Sequence, residues 1–266
     1  MLLLMEFRVR FILFISIILS GCAMPASHFK DLNPSNVHYR IFASVPEGHT
    51  LEASTIYEPV NGECPEHSEA FDWELSRKRV ELHREKSGSK NEYMFKIPMN
   101  ILVMGCQLNA ASSHLTLKLN YGYGSTQDTE DLYFISEQER REAKVQDEQL
   151  GSLNQVRLCS HEFYVTRLGS HLKKSLSCAT SDNGRVHSPI FAFEELGGET
   201  ITYLFSKGGE DEPRSPRSWV RTAAGYRPCV GGDYNSFCKD PPEFKRFKMG
   251  ERQCDVYPGC SLQDQP

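Results

Sequence analysis

The chain has 266 residues, 39% of them hydrophobic and 24% charged, enough for one large folded body or two small ones. A formal net charge of −5 gives no global electrostatic case for binding nucleic acid or anionic lipid. Nine cysteines point to an oxidising compartment rather than to the cytosol.

At the N-terminus, Arg8 and Arg10 precede the apolar run Phe11 to Leu19, and Leu19-Ser20-Gly21-Cys22 puts a cysteine behind two small residues. This arrangement resembles the lipobox of bacterial lipoproteins. The resemblance implies that residues 1–22 are a signal peptide ending at a lipidated Cys22, whose diacylglycerol, with a palmitate-type chain on its amine, holds the protein to a membrane. An ordinary secretory leader or a spanning helix is the alternative. The run reaches only about 14 Å at ~1.5 Å per residue, against a bilayer core of ~30 Å. A longer span would bury Arg8 and Arg10, at about 2.5–3.5 kcal/mol each. Either Met1 or Met5 fits as the start. By the sorting logic of such lipoproteins, Ala23 in place of Asp after the cysteine points to the outer membrane rather than the inner one, with the folded part in the periplasm.

Residues 23–36 carry Pro, Ser and Asn with little apolar pattern and read as a tether. From Val37 the period becomes two. The runs 37–45, 50–59, 73–85, 92–99 and 114–123 alternate, with turn chemistry at Pro46-Glu47-Gly48, Asn61-Gly62 and Ser87-Gly88-Ser89 between them. Leu115, Leu117 and Leu119 fall opposite Thr116, Lys118 and Asn120, so residues 37–135 are expected to form a β-sandwich-like domain with a wet outer face. Ser136-x-x-Glu139 is a capping box, opening a helix through about Leu150 that Gly151 ends. With only Ala143 and Val145 to bury, the 136–151 helix is expected to be a solvated connector.

Residues 152–266 form the second β-rich half, with short strands at 162–168, 172–178, 189–195 and 200–206. From Gly208 the pattern gives way to Pro, Gly, charge and cysteine, too little apolar surface to stand alone. Disulfides are expected to hold this tail, with Trp219, Tyr226, Tyr234 and Phe237 packing back on the sheet. The expected fold is therefore mainly β: antiparallel, sandwich-like sheets in two halves joined by a short solvated helix, with an irregular disulfide-rich C-terminal tail.

Sequential disulfide pairing is the expectation among connectivities numbering about a hundred. It joins Cys64 with Cys106 and Cys159 with Cys178, and leaves Cys229, Cys238, Cys254 and Cys260 to pair among themselves. There is no Cys-x-x-Cys, and nothing near Cys159 and His161 completes a set of four ligands, so neither a metal nor another cofactor is expected.

Gly-x-Ser-x-Gly and His-Glu-x-x-His are both missing, and Tyr121-Gly122-Tyr123-Gly124-Ser125 lacks the third glycine and the helix of a phosphate cradle. The histidines are dispersed. A triad assembles in space rather than in sequence, yet no residue is marked for one, and the chain reads as a non-enzyme. Binding remains. Tyr121 and Tyr123 share a strand face beside glycines, and Arg214, Arg217 and Trp219 set arginine forks beside an aromatic ring. These five are the candidate partner-binding residues, weighed against ordinary sheet-face and loop roles.

The segment Tyr93 to Tyr121 (YMFKIPMNILVMGCQLNAASSHLTLKLNY) resembles the strand, Ile-Pro, Gly-Cys and strand arrangement of uncharacterised proteobacterial lipoproteins. Some lipoproteins of this kind are similar to periplasmic immunity partners of type VI secretion lipase effectors. The resemblance implies a sandwich that occupies the active-site entrance of a toxin. The expected function is a membrane-anchored, non-catalytic envelope binding protein, an inhibitor or immunity partner of an exported effector. The alternatives are a structural subunit of an envelope or secretion assembly and an unrecognised periplasmic hydrolase. The expected partners are the lipid bilayer, through acylated Cys22, and a protein of the envelope; nucleic acid is not among them.

Overall fold

The computed structural model describes residues 33–59, 78–82, 84–85, 89–103, 106–146, 150–166, 170–180, 188–230 and 237–260. Cys22, Cys64, Tyr234 and residues 23–32 of the expected tether lie outside the described residues.

The chain begins with β1 (Asn33–Pro34), β2 (His38–Ser44), β3 (His49–Pro59), β4 (Lys78–Leu82), β5 (Arg84–Glu85), β6 (Glu92–Pro98) and β7 (Asn100–Val103). The long strands β8 (Cys106–Asn120) and β9 (Ser125–Ile135) lead into α1 (Glu137–Ala143). Then come β10 (Asn154–Val165), β11 (Leu172–Thr180), β12 (Ile190–Ala192), β13 (Thr200–Lys207) and β14 (Glu212–Pro213). Short strands finish the chain: β15 (Trp219–Thr222), β16 (Gly225–Pro228), β17 (Phe247–Met249), β18 (Arg252–Cys254) and β19 (Tyr257–Pro258). The expectation of a mainly β, disulfide-rich fold holds. No helix among the described residues is long and apolar enough to cross a membrane.

Two seven-stranded sheets form the body. The first runs β1-β7-β8-β3-β4, with β9 on β8 and β12 on β9; the second runs β11-β10-β13-β2-β6-β5, with β14 on β10. Alternation places the inner residues: Tyr39, Ile41 and Ala43 of β2, Phe95 and Ile97 of β6, and Leu115 and Leu117 of β8 are buried in one core that also contains Ile201, Tyr203 and Phe205 of β13.

Three expectations change here. Residues on either side of the helix share both sheets and one core, so α1 does not separate two cores. The second sheet is mixed, because β13 runs parallel to both β2 and β10. Residues 33–34 of the expected tether are a strand paired with Ile101 and Leu102.

The helix has the predicted capping box, but it stops at Ala143 instead of running to Leu150. It buries no residue, and Lys144 turns left-handed with φ 54°. Without an apolar stripe there is no packing to carry a longer helix.

The inner face of β9 changes role along its length. Phe134 and Leu132 are buried in the core. Glu130, 6% exposed, pairs across the sandwich with Arg157 of β10, 2% exposed. Arg157 also donates to Gln155 Oε1 at 3.0 Å and lies 5.6 Å from the Tyr203 ring centroid. Burial pushes the Glu130 carboxyl up, and Arg157 opposes that shift. Further along, β9 seals an open sheet edge: the Leu176 amide donates to Thr126 Oγ1 at 3.1 Å and the Cys178 amide to Asp128 Oδ2 at 2.7 Å. The Lys174 amide donates to the Tyr121 hydroxyl at 3.3 Å. Three alternate donors of edge strand β11 are thus satisfied by side chains of the β8–β9 hairpin, which closes that side of the sandwich.

The tail forms a three-stranded sheet (β15, β16, β19) and the hairpin β17–β18. Its core is built on Phe163 of β10, with Leu172, Trp219, Phe247 and Tyr257. Trp219 stands edge-on to Phe163 at 4.9 Å, and Tyr226 packs on the same ring at 5.3 Å. Phe237, expected to pack back, is 63% exposed. Gly225, with φ 129°, sits so close to the Tyr257 carbonyl that any Cβ would overlap it. Cys159–Cys178, Cys229–Cys238 and Cys254–Cys260 are disulfides; Cys106 is also disulfide-bonded, to a partner outside the described residues.

Because a buried charge without its partner is costly, Arg157→Met should destabilise the fold by about 3–5 kcal/mol. The double variant Glu130→Leu/Arg157→Met should recover most of that loss in urea titrations.

Candidate functional site

Of the five expected binding residues, Trp219 is buried, Tyr121 and Tyr123 are half-buried, and Arg214 and Arg217 are exposed. Tyr121 and Tyr123 meet edge-on at 4.8 Å at the hairpin end. Tyr121 holds β11 through the Lys174 amide, and Tyr123 packs on the tail core. Burial, with Tyr121 and Asp211 nearby, pushes the Tyr123 hydroxyl up to about 12. Trp219, 8% exposed, is a core residue of the tail. Arg214 and Arg217 are exposed: Arg214 lies 4.3 Å from the Tyr164 centroid and 3.3 Å from Glu162 Oε2, and Arg217 lies 4.6 Å from the Phe237 centroid. The structure does not gather the five into one patch.

It does expose a surface that the sequence pattern hid. Around Arg157 the usual alternation of β10 is inverted: Arg157 and His161 lie inside beside Cys159 and Phe163, and Val156 and Leu158 lie outside. Val156 stands opposite Leu204 of β13 in register. Val156 and Leu158 are each 43% exposed and Leu204 is 46% exposed, on the outer face of the second sheet. Half-buried Phe42 and Met94, paired across β2 and β6, extend this apolar row. Ser160, Ser177 and Ser206 lie on the same face, and Arg214 on Tyr164 stands at one end of it. Contiguous apolar side chains among hydroxyls on a flat sheet are the kind of surface another protein covers.

Two polar constellations lie elsewhere. His49 and His161, 7% and 4% exposed, meet Nε2 to Nε2 at 3.1 Å, and His49 Nδ1 lies 3.2 Å from the Glu47 carbonyl. A donating Nδ1 on His49 makes its Nε2 the acceptor and His161 Nε2 the donor. His161 Nδ1 then faces Asp211 Oδ1 at 3.7 Å. Asp211 accepts from Lys174 at 2.7 Å and from the Tyr257 hydroxyl, so one carboxylate ties the second sheet to the tail. Burial alone would raise the Asp211 carboxyl, but these two donors hold it below its ordinary value. Burial lowers His161, against the pull of Asp211. Among the described residues no group of His, Cys, Asp and Glu is arranged to hold a metal.

On the outer face of the first sheet, Ser54, His114 and Asp131 line up across β3, β8 and β9. His114 Nδ1 lies 2.6 Å from Asp131 Oδ1, and His114 Nε2 has no hydrogen-bond partner among the described residues. Ser54 Oγ instead accepts from Arg79 at 3.3 Å. The base and its orienting carboxylate are present, while the hydrogen bond from nucleophile to base is not.

Acid should act first on His161. Between the ordinary histidine value of 6.5 and the lower folded value, the unfolded chain binds the proton first, so stability falls as pH drops through that window. Asp211 adds a second loss below 3.8, where its unfolded form protonates before the folded one. His161→Asn should flatten the first of these two declines in urea midpoints measured from pH 7.5 down to 5.

No protein-family model matches this chain, and comparison with curated proteins and with solved structures yields no significant match.

Proposed function

We propose that this chain is a lipid-anchored envelope protein whose body binds another protein, acting as an inhibitor or immunity partner of an exported effector rather than as an enzyme. The lipobox-like Leu19–Cys22 and the disulfides support the compartment: an outer-membrane anchor at Cys22 and a periplasmic body. The observation that carries the binding role is the outer face of the second sheet. Val156, Leu158 and Leu204 lie in adjacent register and stay exposed, although the inward positions of β10 include Arg157 and His161. Apolar residues kept outside while an arginine and a histidine go inside are better explained by a partner than by folding.

A second reading, hydrolysis, has one observation in its favour, the row Ser54, His114 and Asp131. It lacks the contact that would activate the serine, so binding is the stronger reading.

Two experiments test this proposal. Palmitate labelling should be lost in Cys22→Ser, with the protein released to the soluble periplasm; unchanged membrane fractionation would defeat the anchor. A photo-crosslinker placed at position 204 in intact cells should capture one exported effector, and Leu204→Arg should weaken that complex about tenfold or more while shifting stability by no more than about 0.5 kcal/mol. Recovery of envelope components instead would favour the structural-subunit alternative.

A further inference from the structure

We propose that the partner of this face is acidic: a protein that sets carboxylates against a basic band at one end of the face, next to apolar side chains that meet Leu204, Val156 and Leu158. The inference rests on the proposed binding role of the same face and adds the chemistry of what binds there.

The band is built by strand register. Arg214 lies over Tyr164, and Tyr164 stands opposite Lys173 in the β10–β11 ladder. His171, two residues earlier, shares the Lys173 side and bridges to Lys248, and exposed Arg246 immediately precedes that strand. The Lys248 amide donates to the Ser170 carbonyl at 2.8 Å, fastening the tail hairpin alongside β11 and continuing the outer face onto it. Arg214, Lys173, Lys248 and Arg246 are all exposed. Among the described residues Lys173, Lys248 and Arg246 have no ion-pair partner. The neighbouring acids are Glu162, which accepts from Arg214, and Glu212 beside it.

In a chain of net charge −5 this clustering is local and does not follow from composition. Extended strands fix the spacing of the cations, and the Tyr164 ring holds the Arg214 guanidinium in a defined plane, suited to forked bonding of a carboxylate. Rim charges of this kind steer encounter and select partners, while the apolar row supplies the buried centre. A lipid surface would meet the cations equally well. Its phosphates are mobile, whereas a folded acidic surface holds carboxylates at the fixed spacing of these cations.

The test uses the full lipid-anchored chain in neutral phosphatidylcholine vesicles and a displayed library of random peptides as the probe. Selected peptides should pair Asp and Glu with apolar residues. They should bind Lys173→Glu/Lys248→Glu about tenfold more weakly, and weaken further as salt rises. Peptides that lose binding to Leu204→Arg but carry no acidic enrichment, and ignore the charge reversals, would overturn the acidic partner and leave the binding face standing. Peptides indifferent to all three substitutions would remove both readings. Binding of phosphatidylglycerol vesicles that the charge reversals abolish, with no acidic peptide selected, would make the band a lipid contact and overturn the inference.

Discussion

The parallel insertion of β13 between β2 and β10 is the constraint on which the rest of this structure depends. Residues 200–204 pair with Arg40–Ser44 on one side, and 202–207 pair with Asn154–Cys159 on the other. A strand from late in the chain thereby joins its earliest long strand to its second half. One core follows, because Ile201, Tyr203 and Phe205 enter the same interior as Tyr39, Ile41 and Leu115. One continuous outer face follows as well, since Leu204 can stand beside Val156 only while that ladder holds.

The two sheets are kept in register by polar contacts of different depth. At the centre, the Tyr39 hydroxyl, Ser113 Oγ and Thr55 Oγ1 form a buried chain with spacings of 2.8 and 2.7 Å. Towards β9 the pair Glu130 and Arg157 crosses the gap, and beyond it Asp128 and Thr126 close the edge. Buried polar groups of this kind add little net stability but penalise any slipped arrangement, because a one-residue shift would strand each of them. The tail is attached by a similar logic: Phe163 offers an aromatic seat, and the Asp211 carboxylate gathers Lys174 and Tyr257 around it.

Much of this was legible in the sequence, and the failures have identifiable causes. Period-two runs such as HYRIFAS and the capping box at Ser136 report local geometry, which short-range chemistry decides. The pairing of β13 with β2 is a contact between distant segments that no local pattern encodes. The exposed apolar face was hidden because β10 breaks the usual rule: in NQVRLCSH the aliphatic Val156 and Leu158 point outward and Gln155, Arg157 and His161 point in. An arginine between two aliphatics in an otherwise strand-like run was the available clue. Tyr121, Tyr123 and Trp219 drew notice as aromatics near turns, but aromatics also make the best small cores, and the disulfide-bonded tail had few other side chains with which to build one.

The position of β2 carries a mechanical consequence. Hydrogen-bonded to β6 on one side and β13 on the other, β2 is an interior strand of the second sheet, preceded among the described residues by the two-residue strand β1 at the edge of the first. Tension drawn through the N-terminal end of the body would peel β1 away first. The force would then run lengthwise along β2, shearing both flanking ladders together instead of unzipping them bond by bond, so pulling at that end costs the body little more than the pairing of residues 33–34.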